Sequence, residues 1–319
     1  MIGRTESIQS FASDLTAGLT APADFARDVL ASAADALGDA RGAALSLTEG
    51  YASRVGILSA RTFAWQLAGP TRAEPTTARV RDANFDGLFV GADGRTYSPA
   101  TPLADVPPVT PRDGVRTDET FVYVNGISTT REGHTASLQE IAEQTGGRVV
   151  GIYNATGGAF VDIIQSAGDT LDLGHNPAVD TLATTVYEEI TAGRNVHLLA
   201  HSQGALITSR ALQDVRGRLI IEDGLSPRQA ERVLARVRVE TFGGAAGAYP
   251  NGPRYVHYVN RADPVSTLFG LGPFGNPLVQ PGRGAVVHRF SERHNSHGFD
   301  ETYLPRRVPF EQARRGDFD

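Results

Sequence analysis

The chain has 319 residues, of which 40% are hydrophobic, so it is long enough to bury one large core. A formal net charge of -6 leaves no basic stripe that could neutralise phosphates, which argues against a nucleic acid partner. The absence of cysteine excludes disulfides, cysteine nucleophiles and thiolate metal ligands.

The N-terminal segment has no features of a secretory signal. Met1 to Ser7 lacks a charged region followed by an apolar core, and no apolar run in the chain approaches membrane-spanning length. We therefore expect a cytoplasmic protein, or one exported by a route without a cleavable signal peptide.

Residues 1–70 are predicted to form an Ala-rich amphipathic helical region, because Ile8, Phe11 and Leu15 share one helical face. We expect these helices to pack against the main domain. A membrane-surface or partner-binding role is the alternative, although the few basic residues on the polar face argue against anionic lipid.

Residues 71–118 are predicted to form an arm or linker. Ala92-Asp93-Gly94 is typical of a hairpin turn, and repeated prolines from Pro99 to Pro111 interrupt any regular element.

Residues 119–319 show alternating strand and helix patterns. This alternation predicts an α/β domain with a mostly parallel central sheet and helices on both faces. Helices are indicated by a cap at Asn176 before Pro177 and by a capping box from Ser226 to Gln229. Strands are predicted at 121–124, 149–153, 239–242, 255–259 and 285–288, besides the strand that precedes Ser202.

The segment 195–206 has the pattern of a nucleophile elbow. An apolar run ends at Ser202 and is followed by helical positions, while the small residues Ala200 and Gly204 let the strand and helix pack closely. We therefore expect Ser202 at the carboxyl edge of the sheet.

A serine nucleophile needs a base, and the base needs a third group to orient it. Asp263 follows the strand 255–259 and precedes a proline, so it can orient the base, cap a helix, or do both. His297 is the favoured base because it lies between two small residues on a loop after the final strand. His294, on the same loop, is the alternative base.

Three other histidines are predicted to have non-catalytic roles. His197 and His257 lie within apolar strands and are predicted to be satisfied core residues. His201 adjoins Ser202, but the elbow is expected to point its ring away from the Ser202 hydroxyl.

An oxyanion hole requires two hydrogen-bond donors. We expect one to be the amide of Gln203, and the other to be the amide of Ile127, with Gly126 allowing the backbone to bend. A plain turn at Asn125-Gly126 is the alternative. No metal and no cofactor are needed for this chemistry.

These motifs resemble the α/β-hydrolase superfamily, with Ser202, Asp263 and His297 in its nucleophile, acid, histidine order. The segments 239–244 and 258–265 are similar to the lipase class 3 pattern among bacterial lipases and esterases. The resemblance covers roughly residues 119–305 and implies an α/β-hydrolase fold. The chain departs from the pattern in having Ala200 where glycine is usual, and a Gly243-to-Arg254 connection that is short for a helical crossover.

The resemblance implies hydrolysis of carboxylic esters through an acyl-enzyme on Ser202, with a glyceride, phospholipid, small ester or thioester as substrate. Residues 155–175 and 268–275 are rich in glycine and apolar side chains, and are expected to form a lid and acyl pocket or to pack as ordinary loops.

Two alternatives differ in kind from a free-standing enzyme. One is a non-catalytic binding protein with a hydrolase fold. The other is a secreted lipase effector whose N-terminal helices bind a partner protein or membrane.

Overall fold

A computed structural model of the chain describes residues 83–127, 129–155, 176–272 and 279–318. The predicted helical region 1–70 lies outside the described residues. Much of the predicted lid and acyl pocket, at 156–175 and 273–275, lies outside them as well.

The described residues form one eight-stranded sheet, in the order β2-β1-β4-β3-β5-β6-β7-β8 along its width. Strands β3 to β8 pair in parallel, whereas β1 and β2 form an antiparallel hairpin at one edge. The predicted mostly parallel sheet is therefore confirmed. The strands are β1 Phe89–Val90, β2 Thr96–Tyr97, β3 Thr120–Val124, β4 Arg148–Ile152, β5 Val196–His201, β6 Val237–Phe242, β7 Arg254–Asn260 and β8 Val286–Phe290.

Helices alternate with these strands, and side-chain caps fix several of their starts. Asn176 accepts a hydrogen bond from the amide of Val179, and Ser226 and Gln229 form the predicted capping box. The helices are α1 Arg131–Thr145, α2 Pro177–Thr191, α3 Gln203–Ile221, α4 Pro227–Leu234, α5 Pro264–Leu268 and α6 Phe310–Arg314.

Two apolar layers bury the two faces of the sheet. Helices α2, α3 and α4 pack Leu182, Leu212 and other side chains against one face. Helices α1 and α6 cover the other face with residues that include Leu138 and Phe310. The sheet thus has helices on both sides, as predicted for an α/β domain.

The hairpin in the predicted arm extends the sheet. A 3-10 turn at Ala92–Gly94 joins β1 to β2, and β1 pairs antiparallel with β4. Phe89 and Val90 are buried there, so this part of residues 71–118 packs as a sheet edge.

The connection from β6 to β7 contains no helix, although it joins two parallel strands. Residues 243–253 cross instead as a loop whose Tyr249 side chain is buried against Tyr255 and His257. The Tyr249 amide donates to the Gln280 carbonyl at 2.7 Å, which fixes the path of this unusually short crossover.

The order of the strands reverses at β3. The chain passes from β3 to β4 on one side and later returns to add β5 on the other. Ligand sites of open parallel sheets form at this reversal, outside the carboxyl ends of the strands. In the described part of the chain, no helix combines the length and the hydropathy that a bilayer crossing requires.

Candidate active site

Ser202 lies in a strained turn between β5 and α3. Its φ of 55° and ψ of −121° are unfavourable for a residue with a Cβ atom. Its amide donates to the Phe242 carbonyl and its carbonyl accepts from the Ala245 amide, both at 3.0 Å. The Ser202 side chain is 1% exposed, and its Oγ has no hydrogen-bond partner among the described residues.

The residues flanking Ser202 allow the tight packing that the turn requires. A Cβ atom at Gly204 would lie 2.2 Å from the carbonyl oxygen of Val124, so this position requires glycine. Ala200 is fully buried and pairs with Val124 on one side and Thr241 on the other. The alanine that replaces the usual glycine therefore fits within the sheet.

Asp263 and His297 form a buried pair. The Nδ1 atom of His297 lies 2.7 Å from Oδ2 of Asp263, and both side chains are at most 3% exposed. The other oxygen of Asp263, Oδ1, accepts the amide of Val265 at 2.8 Å and caps α5. The two roles considered for Asp263 therefore coexist on different oxygens.

The alternative base, His294, lies on the same loop but is exposed to solvent. Asn260 holds this loop by donating from Nδ2 to the carbonyls of Ser296 and Glu292, at 2.8 and 2.7 Å. Its Oδ1 accepts from the backbone amides of Glu292 and Ala262, so all the hydrogen-bonding capacity of the Asn260 side chain is used. The loop geometry favours His297 as the partner of Asp263.

His201 supports the His297 loop. Its Nε2–H donates to the backbone carbonyl of His297 at 3.0 Å, and the two rings lie 4.7 Å apart. Burial lowers the pKa of His201 well below its usual value, so the ring stays neutral. The sequence indicated only that His201 points away from the nucleophile, and this supporting contact was missed.

Tyr303 is a second contact of Asp263 that the sequence did not reveal. Its hydroxyl donates to Oδ2 of Asp263 at 2.5 Å and accepts the amide of Asn260 at 3.2 Å. Tyr303 ends a π-helical turn, Phe299–Tyr303, after the His297 loop. It is one of nine tyrosines and has no motif around it, so no sequence signal could have selected it.

The loop after β3 lies against the nucleophile. A Cβ atom at Gly126 would be 2.8 Å from Cβ of Ser202 and 3.3 Å from its Oγ. The Gly126 carbonyl accepts from Asn125 Nδ2 at 2.8 Å and from Thr129 Oγ1 at 3.0 Å. Because the peptide is trans, the Ile127 N–H points away from these two donors.

Gln203 begins α3, so its amide has no acceptor within the helix. Its buried side chain accepts from Asn154 Nδ2 at 2.8 Å, and the Asn154 amide donates to Asn125 Oδ1 at 2.9 Å. Asn125 is thus part of a buried link between β3, β4 and α3, not a plain surface turn. Asn154 was missed, although a polar residue directly after the predicted strand 149–153 was an available signal.

The two histidines expected in the core are buried and bonded. His197 donates to Glu240 at 2.9 Å, and His257 donates to the Pro281 carbonyl at 2.9 Å. Within the described ranges, no group of three or more His, Asp or Glu side chains could hold a metal ion.

The arrangement brings a buried serine, an Asp–His pair and a glycine-bearing loop to one edge of the sheet. Unrelated activities occur on the same fold, so the function of such a site follows from its own residues and their geometry. No protein-family model matches this chain, and comparison with curated proteins finds no match to it.

Proposed function

We propose that the protein is a serine hydrolase that cleaves carboxylic esters through an acyl-enzyme on Ser202. The observation that carries the proposal is the buried 2.7 Å bond between His297 and Asp263, on loops after the strands that follow the Ser202 elbow. The sheet order and the strained turn support an α/β-hydrolase fold as the scaffold.

In the proposed mechanism, Ser202 Oγ attacks the ester carbonyl while Nε2 of His297 takes its proton. Asp263 holds the Nδ1–H of His297 and stabilises the imidazolium that forms. The imidazolium then protonates the departing alcohol, leaving the acyl-enzyme. Water, deprotonated by His297, releases the acid and restores Ser202.

The developing oxyanion is proposed to accept from the amides of Gln203 and Ile127. The first is the N-terminal amide of α3, which has no acceptor within the helix, and the second is oriented by the two bonds to the Gly126 carbonyl. Removing one such donor typically costs about 3 kcal/mol of transition-state stabilisation.

An acyl chain is the substrate feature that the surrounding residues support. Ile127, Ala245 and Val265 form a small apolar cluster, with Phe269 packed against it. They follow Gly126, β6 and Asp263 respectively, so the cluster joins three loops of the site. Apolar side chains here favour an ester of a fatty or other hydrophobic acid.

Turnover of a panel of p-nitrophenyl esters and phospholipid vesicles tests the proposal. We expect Ser202→Ala to lose turnover by about 10³-fold or more, because the nucleophile is removed. Ser209→Ala is the matched control, since Ser209 is a buried serine of α3 that donates to the Ala248 carbonyl at 2.6 Å and accepts from Gln213 Nε2 at 3.4 Å, and contacts neither Asp263 nor His297 through these bonds.

Two results would contradict the proposal. One is a Ser202→Ala variant that keeps wild-type turnover. The other is folded wild-type protein that neither turns over an ester nor reacts with a fluorophosphonate probe, which would favour a binding protein with a hydrolase-like scaffold.

A further inference from the structure

The Asp263 carboxylate accepts three hydrogen bonds, of which the proposed mechanism uses one. Its Oδ2 accepts from both His297 Nδ1 and the Tyr303 hydroxyl, at 2.7 and 2.5 Å, while Oδ1 accepts the Val265 amide. Tyr303 therefore shares with His297 the oxygen that the proposed mechanism uses.

We propose that Tyr303 is a positioning residue, which fixes the rotation of the Asp263 carboxylate and draws negative charge from the oxygen that faces His297. This inference rests on the proposed function of Ser202. It adds that Tyr303 affects how readily the proposed base accepts a proton.

Tyr303 is itself held in place. It is fully buried, and its ring packs against those of Phe290 and His297, with centroids 5.4 and 6.5 Å apart. The Asn260 amide donates to its oxygen, and a hydroxyl that accepts one bond becomes a stronger donor of another. Burial, and then the Asp263 charge, raise the pKa of Tyr303 well above its usual value, so it remains a donor.

The charge that Tyr303 draws from Asp263 weakens the attraction between Asp263 and a protonated His297. A carboxylate that shares its charge with a phenol stabilises an imidazolium less than an unshared carboxylate does. Removing the Tyr303 hydroxyl would therefore leave more negative charge on the Asp263 oxygen that faces His297. His201, which also packs against His297, stays neutral and adds no charge to the pair.

Tyr303→Phe removes the hydroxyl and keeps the ring, so it isolates this bond. In the full chain, we expect kcat for a p-nitrophenyl ester to fall about tenfold with KM within about twofold. The acidic limb of the kcat/KM profile should move to higher pH, which loss of packing alone would not cause.

Tyr258→Phe is the matched control. Tyr258 is a buried tyrosine of β7 whose oxygen accepts the Val308 amide at 3.3 Å, away from Asp263. We expect this variant to keep the wild-type kcat and pH profile.

A second substitution tests the same hydrogen bond if Tyr303→Phe does not fold. With 3-fluorotyrosine at position 303 alone, the more acidic phenol donates more strongly, and the acidic limb should move to lower pH. A folded Tyr303→Phe variant with the wild-type pH profile would overturn the inference, as would an unchanged profile with 3-fluorotyrosine. If the wild-type protein neither turned over an ester nor reacted with the probe, the proposed function would be wrong. The proposed role of Tyr303 would then be wrong as well.

Discussion

Ser202 combines two features that cost stability. Its backbone occupies a region that costs about 1 to 3 kcal/mol for a residue other than glycine, and its buried hydroxyl has no partner among the described residues. Strain and an unpaired polar group at one residue are typical of a site kept for reaction.

The cost of the Ser202 hydroxyl can be measured. Ser202→Ala removes the unpaired oxygen and leaves the backbone in place, so we expect the free energy of unfolding to rise by about 1 kcal/mol. Urea denaturation followed by circular dichroism measures the change. A variant less stable than wild type by more than about 1 kcal/mol would show that the hydroxyl is structural.

His294 and His297 provide a matched pair of substitutions on one loop. We expect His297→Ala to lower kcat by about 10³-fold or more, because the proposed base and its bond to Asp263 are lost. His294 is exposed, so His294→Ala should stay within about twofold of wild type. Steady-state ester hydrolysis measures both, and a loss confined to His294→Ala would identify the other histidine as the base.

At the residue scale, the sequence predicted the groups whose positions follow from strand ends. Ser202, Asp263 and His297 each come after a predicted strand, in the order that the chemistry requires. Tyr303 and Asn154 reach the site through contacts with residues 40 and 49 positions away in the chain, namely Asp263 and Gln203. Such contacts depend on tertiary packing, which local sequence patterns do not encode.

At the element scale, α3 and β3 approach each other closely at Gly204. A Cβ atom at Gly204 would lie 2.2 Å from the Val124 carbonyl oxygen, and backbone atoms on both sides leave little room to move. We expect Gly204→Ala to lower the free energy of unfolding by about 2 kcal/mol or more.

Gly217 is the matched control within the same helix, because a Cβ atom there would meet nothing within 4 Å. Gly217→Ala should raise the stability by up to about 1 kcal/mol through helix propensity. Thermal denaturation of the two variants measures the contrast, and equal effects would argue against the α3–β3 contact.

The type and order of most elements could be predicted from caps and hydrophobic periodicity. The Asn176 cap and the Ser226 capping box both lie where the sequence indicated. The order of the strands in the sheet could not be predicted in this way, because it depends on which strand edges meet in space. The pairing of β1 with β4 and the path of the short connection 243–253 therefore required the structure, although the length of that connection already argued against a helix there.

At the scale of the whole molecule, buried neutral histidines make stability depend on pH. Burial lowers the pKa of His134 to about 3 and that of His257 to about 4, from an ordinary value of 6.5. Below pH 6.5 the unfolded chain therefore binds protons that the folded chain excludes. The free energy of unfolding must fall as the pH falls from 6.5 towards 4.

Urea denaturation at pH 7.5 and pH 5.5 measures this effect. We expect a loss of about 1.4 kcal/mol for each histidine that stays neutral in the fold. The exposed His294 is the control, since His294→Gln should leave the loss unchanged. Equal stability at the two pH values would contradict the burial of these rings as neutral groups.

Covalent labelling with a fluorophosphonate probe is the clearest test of whether Ser202 is an activated nucleophile. Intact-protein mass spectrometry and peptide mapping should find one probe on wild-type protein, at Ser202, and the same on Ser209→Ala. Ser202→Ala should carry none. Labelling that persists in Ser202→Ala, or that maps to another residue in the wild type, would show that Ser202 is not the nucleophile.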